Sequence, residues 1–252
     1  MSFPRVLIIL CFLTTACTDQ GSLTVTIRVA SASNFVPVLD ELGREFTEAT
    51  GVVVSVSSAS TGMLYAQIEN GAPFDVFLAA DKKRPEALIE NGHADSDSAF
   101  IYAQGRLAMI CAKSKTLPQD LPSMLQLAPF DLTMANSKLA PYGRAALEAL
   151  DEDVESLTAK GVKVIRGENA SQAWHFLASG AADFAVLPLS MAATGDFPYR
   201  EIPGEKFETI DQMAVLIKGT KAESEARQFL KFLQSKKART RIKNSGYNVV
   251  GG

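Results

Sequence analysis

The sequence has too few cysteines for a disulfide framework. It contains three, Cys11, Cys17 and Cys111. The first two lie in or directly after an apolar N-terminal stretch, so a processed chain would leave Cys111 with no partner for an internal disulfide. Cys111 stands in the apolar run 107–112, which is typical of a small buried core residue and not of a catalytic nucleophile.

An excess of positive charge is also missing. Lysine and arginine number 25 against 28 aspartate and glutamate residues, and the formal net charge is -3. Nucleic-acid-binding surfaces need a basic excess, so we expect no nucleic-acid partner. An anionic ligand would have to be held by local dipoles and hydrogen bonds.

Familiar catalytic signatures are absent from the sequence. The patterns G-x-S-x-G, H-E-x-x-H and C-x-x-C do not occur, and neither does a phosphate-binding P-loop. The candidates for an active site would be Asp75, Asp81, His93 and His175. An enzyme therefore remains the alternative from another functional class, and we expect that the protein is not one.

The N-terminus has the pattern of an export signal. Arg5 precedes the apolar run 6–13, and small residues then lead to Cys17. The run is too short to span a bilayer, so residues 1–16 are predicted to be a cleaved signal peptide. Ala16 before Cys17 also resembles a bacterial lipoprotein signal, although Thr14 replaces the usual leucine, and lipidation of Cys17 stays open. We expect a periplasmic or extracytoplasmic protein, with membrane association only through such a lipid anchor.

Strand-like and helix-like segments alternate along the rest of the chain. Three strand–helix repeats lie within residues 23–92, and a second series lies within residues 132–187. This alternation predicts an α/β fold in which mostly parallel sheets are flanked by helices. With 252 residues, 47% of them hydrophobic, the chain can build one large or two medium domains.

Two long apolar runs suggest how these domains are connected. Residues 100–112 and 207–217 each exceed an ordinary strand, so we expect the chain to cross between two lobes twice. The predicted first lobe comprises residues 22–104 and 212–252, and the second comprises residues 105–211.

Four uncharged junctions stand where a predicted strand ends and a helix begins. They are the first junction (residues 32–35, ASNF), the second (59–62, ASTG), the third (140–143, APYG) and the fourth (169–172, NASQ). Each should present free N–H groups of a helix N-terminus together with small polar side chains. Such groups attract anions, although serine, threonine and asparagine are also ordinary helix caps. Four of them favour a shared anion receptacle at the carboxyl ends of the strands.

The sequence around these junctions resembles that of a known family. The segments ASASNF, QIENGAPFDVFLAAD, LAPYG and NASQAWHFLASGAADFAVLPLS are similar to the periplasmic molybdate-binding proteins of ABC transporters, which are bacterial extracellular solute-binding proteins. The resemblance extends over residues 22–250. It implies a two-lobed type II periplasmic-binding-protein fold with the ligand in the interlobe cleft. It also implies a monomer that captures molybdate or tungstate and delivers it to a membrane ABC permease.

The resemblance further implies a set of ligand-binding residues and no cofactor, because the metal is bound only as its oxyanion. Those residues are Ser33, Asn34 and Thr61, together with Tyr142 and Ala170 through their backbone N–H groups.

The second junction offers one more donor, since Ser60 next to Thr61 could share or replace its contact. The family commonly has serine where Thr61 stands, and some members supply a tyrosine hydroxyl near the position of Pro188, which this chain lacks. We expect a site of neutral donors with no lysine or arginine in contact with the ligand. Such a site disfavours hydrogen phosphate, whose proton finds no acceptor. Sulfate differs from molybdate only in size, so another tetrahedral oxyanion remains the alternative ligand.

Overall fold

The computed structural model describes residues 25–250. The predicted signal peptide and Cys17 lie outside these residues. The strands are β1 (Thr26–Ala32), β2 (Val53–Ala59), β3 (Val76–Leu78), β4 (Ala94–Gly105), β5 (Leu107–Cys111), β6 (Phe130–Ala135), β7 (Val162–Gly167), β8 (Phe184–Pro188), β9 (Tyr199–Ile202) and β10 (Ile210–Ile217). The helices are α1 (Val36–Thr50), α2 (Thr61–Glu69), α3 (Lys83–Glu90), α4 (Leu121–Leu125), α5 (Pro141–Leu150), α6 (Val154–Ala159), α7 (Ala170–Ala178), α8 (Leu189–Thr194), α9 (Glu223–Leu233) and α10 (Lys236–Asn244). Between residues 25 and 250, no helix combines the length and apolar character that a membrane span requires.

The strands form two five-stranded sheets that share one topology. Their orders are β2-β1-β3-β10-β4 and β7-β6-β8-β5-β9. In each sheet the first three strands are parallel, and the fourth is antiparallel to both of its neighbours. All strands of a sheet except the fourth therefore run in one direction. The prediction of a two-lobed α/β fold with mostly parallel sheets is confirmed, with one antiparallel strand inserted in each.

The antiparallel strand of each sheet is the one that the chain enters from the other sheet. A single residue, Arg106, separates β4 of the first sheet from β5 of the second. Residues 203–209 lead back from β9 to β10. These passages lie within or beside the two long apolar runs of the sequence. The predicted lobe boundaries fall at the end of β4 and inside β10, and they stay a prediction.

Hydrophobic side chains cover both faces of each sheet. On the first sheet, α9 buries Ala226, Phe229, Leu230 and Leu233, which recur at the spacing of one helix face. The Phe229 ring meets that of Phe46 from α1 at a centroid distance of 5.2 Å. Burying one such aromatic side chain contributes about 1.5–3 kcal/mol. The C-terminal helices thus share the core on one face of the first sheet.

The four junctions lie at matching ends of paired parallel strands. Ala32 at the end of β1 is in register with Ala59 at the end of β2. In the second sheet, Ala135 at the end of β6 is in register with Gly167 at the end of β7. Parallel neighbours present their carboxyl ends at one edge, where ligands of α/β sheets bind.

Candidate oxyanion site

Direct hydrogen bonds bring the four junctions together. The Ser33 N–H donates to the Ala59 carbonyl at 3.0 Å and joins the first junction to the second. The Ser171 N–H donates to Ser33 Oγ at 3.4 Å and joins the fourth to the first. The Gly62 N–H donates to the carbonyl of Leu139, beside the third junction, at 2.9 Å. The last two contacts cross between the lobes, so both halves of the cleft are in contact.

Each junction contributes a backbone donor that the protein itself does not use. Within residues 25–250, the N–H groups of Asn34, Thr61, Tyr142 and Ala170 donate to no acceptor. Thr61 and Ala170 are the first residues of α2 and α7, and Tyr142 follows Pro141, which has no N–H, at the start of α5. All four residues are less than 5% exposed. A buried unpaired N–H costs about 1–3 kcal/mol, so this set favours a bound acceptor, which the positive ends of three helix dipoles also attract.

Three hydroxyl groups complete the donor set. Ser60 Oγ is buried and has no hydrogen-bond partner within the described part of the chain. Thr61 Oγ1 accepts from the Ala80 N–H at 3.1 Å, and Ser33 Oγ accepts from the Ser171 N–H. The Thr61 and Ser33 hydroxyl oxygens each accept a hydrogen bond from the protein, and their protons remain available for a ligand.

Asn34 has a role that the local sequence does not show. As ordinary cap residues, Ser33 or Asn34 could begin the following helix, but α1 begins at Val36, with Phe35 as its N-cap and no side-chain cap. The Asn34 amide instead donates to Gln212 Oε1 at 2.8 Å and lies 3.2 Å from the Tyr247 hydroxyl. A buried amide has two N–H groups to satisfy, and the interior offers two acceptors. The backbone N–H is therefore the donor that Asn34 leaves for a ligand.

Gln212 is the centre of an uncharged hydrogen-bond network behind the junctions. It is fully buried in β10. Its Oε1 lies 3.2 Å from the Tyr102 hydroxyl, in addition to the bond with Asn34. Its Nε2 donates to the Tyr142 hydroxyl at 3.2 Å. One side chain thus contacts residues of the first and third junctions.

Tyr247 holds Asn34 from the other side. Its hydroxyl donates to the Asn34 carbonyl at 2.7 Å and accepts from Ser190 Oγ at 3.0 Å. Burial raises the pKa of Tyr247 to about 12 and raises the pKa values of Tyr102 and Tyr142 well above the ordinary value. These hydroxyls stay protonated at neutral pH, so the network adds no charge beside an anion.

A glycine makes room for this network. A Cβ atom on Gly105, at the end of β4, would lie 2.4 Å from the Tyr142 hydroxyl oxygen. Glycine is therefore needed where the tyrosine reaches past the crossing strand to Gln212. The sequence alone gives no sign that Tyr142 lies beside Gly105.

Two arginines near the cleft are engaged by carboxylates. Arg84 pairs with Asp81 and also donates to the Lys138 carbonyl across the cleft at 3.3 Å. The Arg144 guanidinium lies 3.3 Å from a Glu148 oxygen and 3.6 Å from a Glu208 oxygen. Within residues 25–250, no group of three or more His, Cys, Asp or Glu could hold a metal ion.

The two aspartates considered for an active site have structural partners. Asp75 precedes β3, at the opposite end of the strand from the junctions, and binds Arg28 and Thr220. Asp81 binds Arg84, and His175 lies in the last turn of α7.

Comparison with known proteins gives consistent results over most of the chain. The sequence profile of the bacterial extracellular solute-binding proteins matches residues 27–248. The molybdate-binding protein ModA of Azotobacter vinelandii is 34% identical over 239 residues, which cover 93% of each chain. ModA of Rhodobacter capsulatus is 34% identical over 222 residues, covering 86% of each. The solved periplasmic molybdate-binding protein of Azotobacter vinelandii superposes with a TM-score of 0.82 at 35% identity, covering 89% of this chain and 100% of that one.

Proposed function

This chain belongs to the bacterial extracellular solute-binding protein family, and from that premise we propose that it captures molybdate or tungstate and delivers it to a membrane ABC permease. Its molybdate-binding relatives at 34% identity support the choice of ligand. The observation that carries the proposal is the set of buried, uncharged and unused donors between the lobes.

The donors suit a tetrahedral dianion. Backbone N–H groups come from Asn34, Thr61, Tyr142 and Ala170, and hydroxyl groups come from Ser33, Ser60 and Thr61. An anion that leaves water loses its hydration, and hydrogen bonds from fixed donors must replace it. Because both lobes supply donors, the ligand is fully surrounded only when the lobes are closed, which a permease can recognise.

The same donor set disfavours protonated anions. Thr61 and Ser33 each already accept one hydrogen bond, from Ala80 and Ser171, and the unused backbone groups of the set can only donate. Asp81, which follows Ala80, is engaged by Arg84. The proton of hydrogen phosphate would therefore meet neutral hydroxyl oxygens at best, and leaving it unpaired would cost about 1–3 kcal/mol.

Isothermal titration with molybdate, tungstate, sulfate and phosphate tests the ligand. We expect one site per chain, equal affinities for molybdate and tungstate, which are nearly the same size, and sulfate and phosphate binding weaker by about a hundredfold, or about 2.7 kcal/mol. Sulfate binding as tight as molybdate binding would make the protein a carrier of another tetrahedral oxyanion.

We further propose that the protein works outside the cytoplasm as a monomer, without catalysis and without a cofactor. Its relatives are binding proteins, and the family is extracellular. A lipid on Cys17 would tether it to the membrane. Mass spectrometry of the protein purified from membranes would show a diacylglyceryl mass on the N-terminal peptide, and a soluble chain that begins elsewhere would disprove the anchor.

A further inference from the structure

One buried side chain connects the two halves of the candidate site. Gln212 accepts from Asn34 Nδ2 at 2.8 Å and donates to the Tyr142 hydroxyl at 3.2 Å. Asn34 belongs to the first junction, in the first lobe, whereas Tyr142 opens α5 in the second lobe. The backbone N–H groups of both residues are among the donors left free for a ligand. Gln212 lies in β10, the strand by which the chain returns to the first sheet.

We propose that Gln212 is a positioning residue that sets the spacing between the two halves of the anion cradle, and thereby the size of the oxyanion that the protein selects. This inference rests on the proposed binding of molybdate. A carboxamide is planar, and its acceptor and donor point in different directions from one rigid group. Hydrogen bonds at both ends therefore fix Asn34 and Tyr142 relative to each other.

The partners of Gln212 are themselves held in place. The Tyr102 hydroxyl contacts the same Oε1 at 3.2 Å and lies 3.2 Å from the Ala79 carbonyl, which steadies the amide from within the first lobe. The Tyr247 hydroxyl holds the Asn34 carbonyl at 2.7 Å, so the first junction is not free to shift toward a smaller ligand. Buried networks in which each member is satisfied resist rearrangement, because moving one group leaves others unpaired.

Size selection follows from this rigidity. Sulfate has shorter bonds than molybdate, so the two halves would have to move closer for all donors to reach it. The Gln212 bridge opposes that contraction, whereas a cradle without the bridge could contract. Loss of the bridge should thus reduce discrimination between the two anions more than it reduces binding itself.

Two variants break the bridge at different points. Gln212→Met removes both hydrogen bonds and keeps the length of the side chain. Tyr142→Phe removes one hydroxyl and leaves the backbone N–H of residue 142 in place, so it serves if the first variant does not fold.

Two controls remove comparable hydrogen bonds without breaking the bridge. Gln104→Met, on the neighbouring strand β4, removes the hydrogen bond that the Gln104 amide donates to Asp211 at 2.8 Å. Tyr65→Phe removes a tyrosine hydrogen bond, to Glu69 in α2, that involves none of the bridge residues. All variants are titrated with molybdate and with sulfate, and thermal unfolding is recorded for each.

The measured quantity is the ratio of the sulfate Kd to the molybdate Kd. We expect both bridge variants to lower this ratio by about tenfold or more, the equivalent of about 1.4 kcal/mol, and both controls to leave it within about twofold. Equal weakening of both anions in the bridge variants, or an equal fall in the ratio in the controls, would overturn the inference. If the wild-type protein binds no molybdate, the proposed function and this inference fail together. If it is selective and the bridge variants are equally selective, only this inference fails.

Discussion

Replacing Ser60 by alanine should separate ligand binding from folding at the candidate site. Ser60 Oγ is buried without a hydrogen-bond partner in the described residues, so no protein hydrogen bond is lost when it is removed. The ligand-free protein should keep its free energy of unfolding or gain up to about 1 kcal/mol, since a buried unpaired polar group is destabilising. Molybdate binding should weaken by the value of one hydrogen bond to a charged acceptor, about 1.5–3 kcal/mol, or about 10- to 150-fold in Kd.

Thr61→Val provides the contrast, because Thr61 Oγ1 also accepts from the buried Ala80 N–H. This variant should lose affinity by a similar amount and, in addition, lower the free energy of unfolding by about 1–3 kcal/mol. Ser58→Ala, at an exposed position of β2, is the matched control and should change neither quantity. Isothermal titration and urea unfolding measure the two effects. An unchanged molybdate Kd in Ser60→Ala would remove Ser60 from the site, and a large loss of stability in that variant would refute the reasoning from its missing partner.

Three further perturbations test the surroundings of the site. Gly105→Ala would place Cβ 2.4 Å from the Tyr142 hydroxyl oxygen, so we expect a loss of about 1–3 kcal/mol in the free energy of unfolding, measured in urea. Arg84→Gln removes the contact with the Lys138 carbonyl across the cleft, and stopped-flow measurements should show molybdate release that is faster by roughly fivefold, the effect of about 1 kcal/mol. Burial raises the pKa of Tyr247 to about 12. The protonated hydroxyl should therefore contribute its full stabilisation below the pKa that this tyrosine has in the unfolded chain, and the contribution should be lost as the pH rises toward 12. Thermal unfolding as a function of pH can follow this loss.

Each of these expectations has a contradicting result. Wild-type stability of Gly105→Ala would mean that Tyr142 does not approach β4. Unchanged release in Arg84→Gln would mean that the contact to Lys138 does not hold the lobes closed. A thermal unfolding midpoint that falls steeply between pH 7 and 9 would exclude the tyrosine network as the source of the pH dependence of stability.

The junctions could be predicted because they depend on local sequence. A strand that ends next to a helix start gives a clear pattern, and the helix predicted at the fourth junction begins there, at Ala170. Asn169 caps α7, with its side chain accepting from the Gln172 N–H at 3.0 Å. Short elements could not be predicted in this way. Helices α4, α6 and α8 have five or six residues each, too few for a helical period to show.

The network behind the junctions could not be found from the sequence either. Asn34 contacts Gln212 across 178 positions and Tyr247 across 213. A glutamine in an apolar strand and a tyrosine near the C-terminus have no local pattern that marks them as partners. The same missing information hides the role of Asn34, because the local sequence allows a helix cap whereas distant groups bind its amide.

The bond between Tyr247 and Asn34 has a consequence for how the site assembles. The residue that steadies the first junction lies 213 positions away from it, so the junction takes its final form only after this distant segment has folded back onto it. Without Tyr247 the Asn34 carbonyl would lose its partner and the Asn34 amide would keep only Gln212. Capture of an oxyanion therefore reports that the two ends of the described chain have come together.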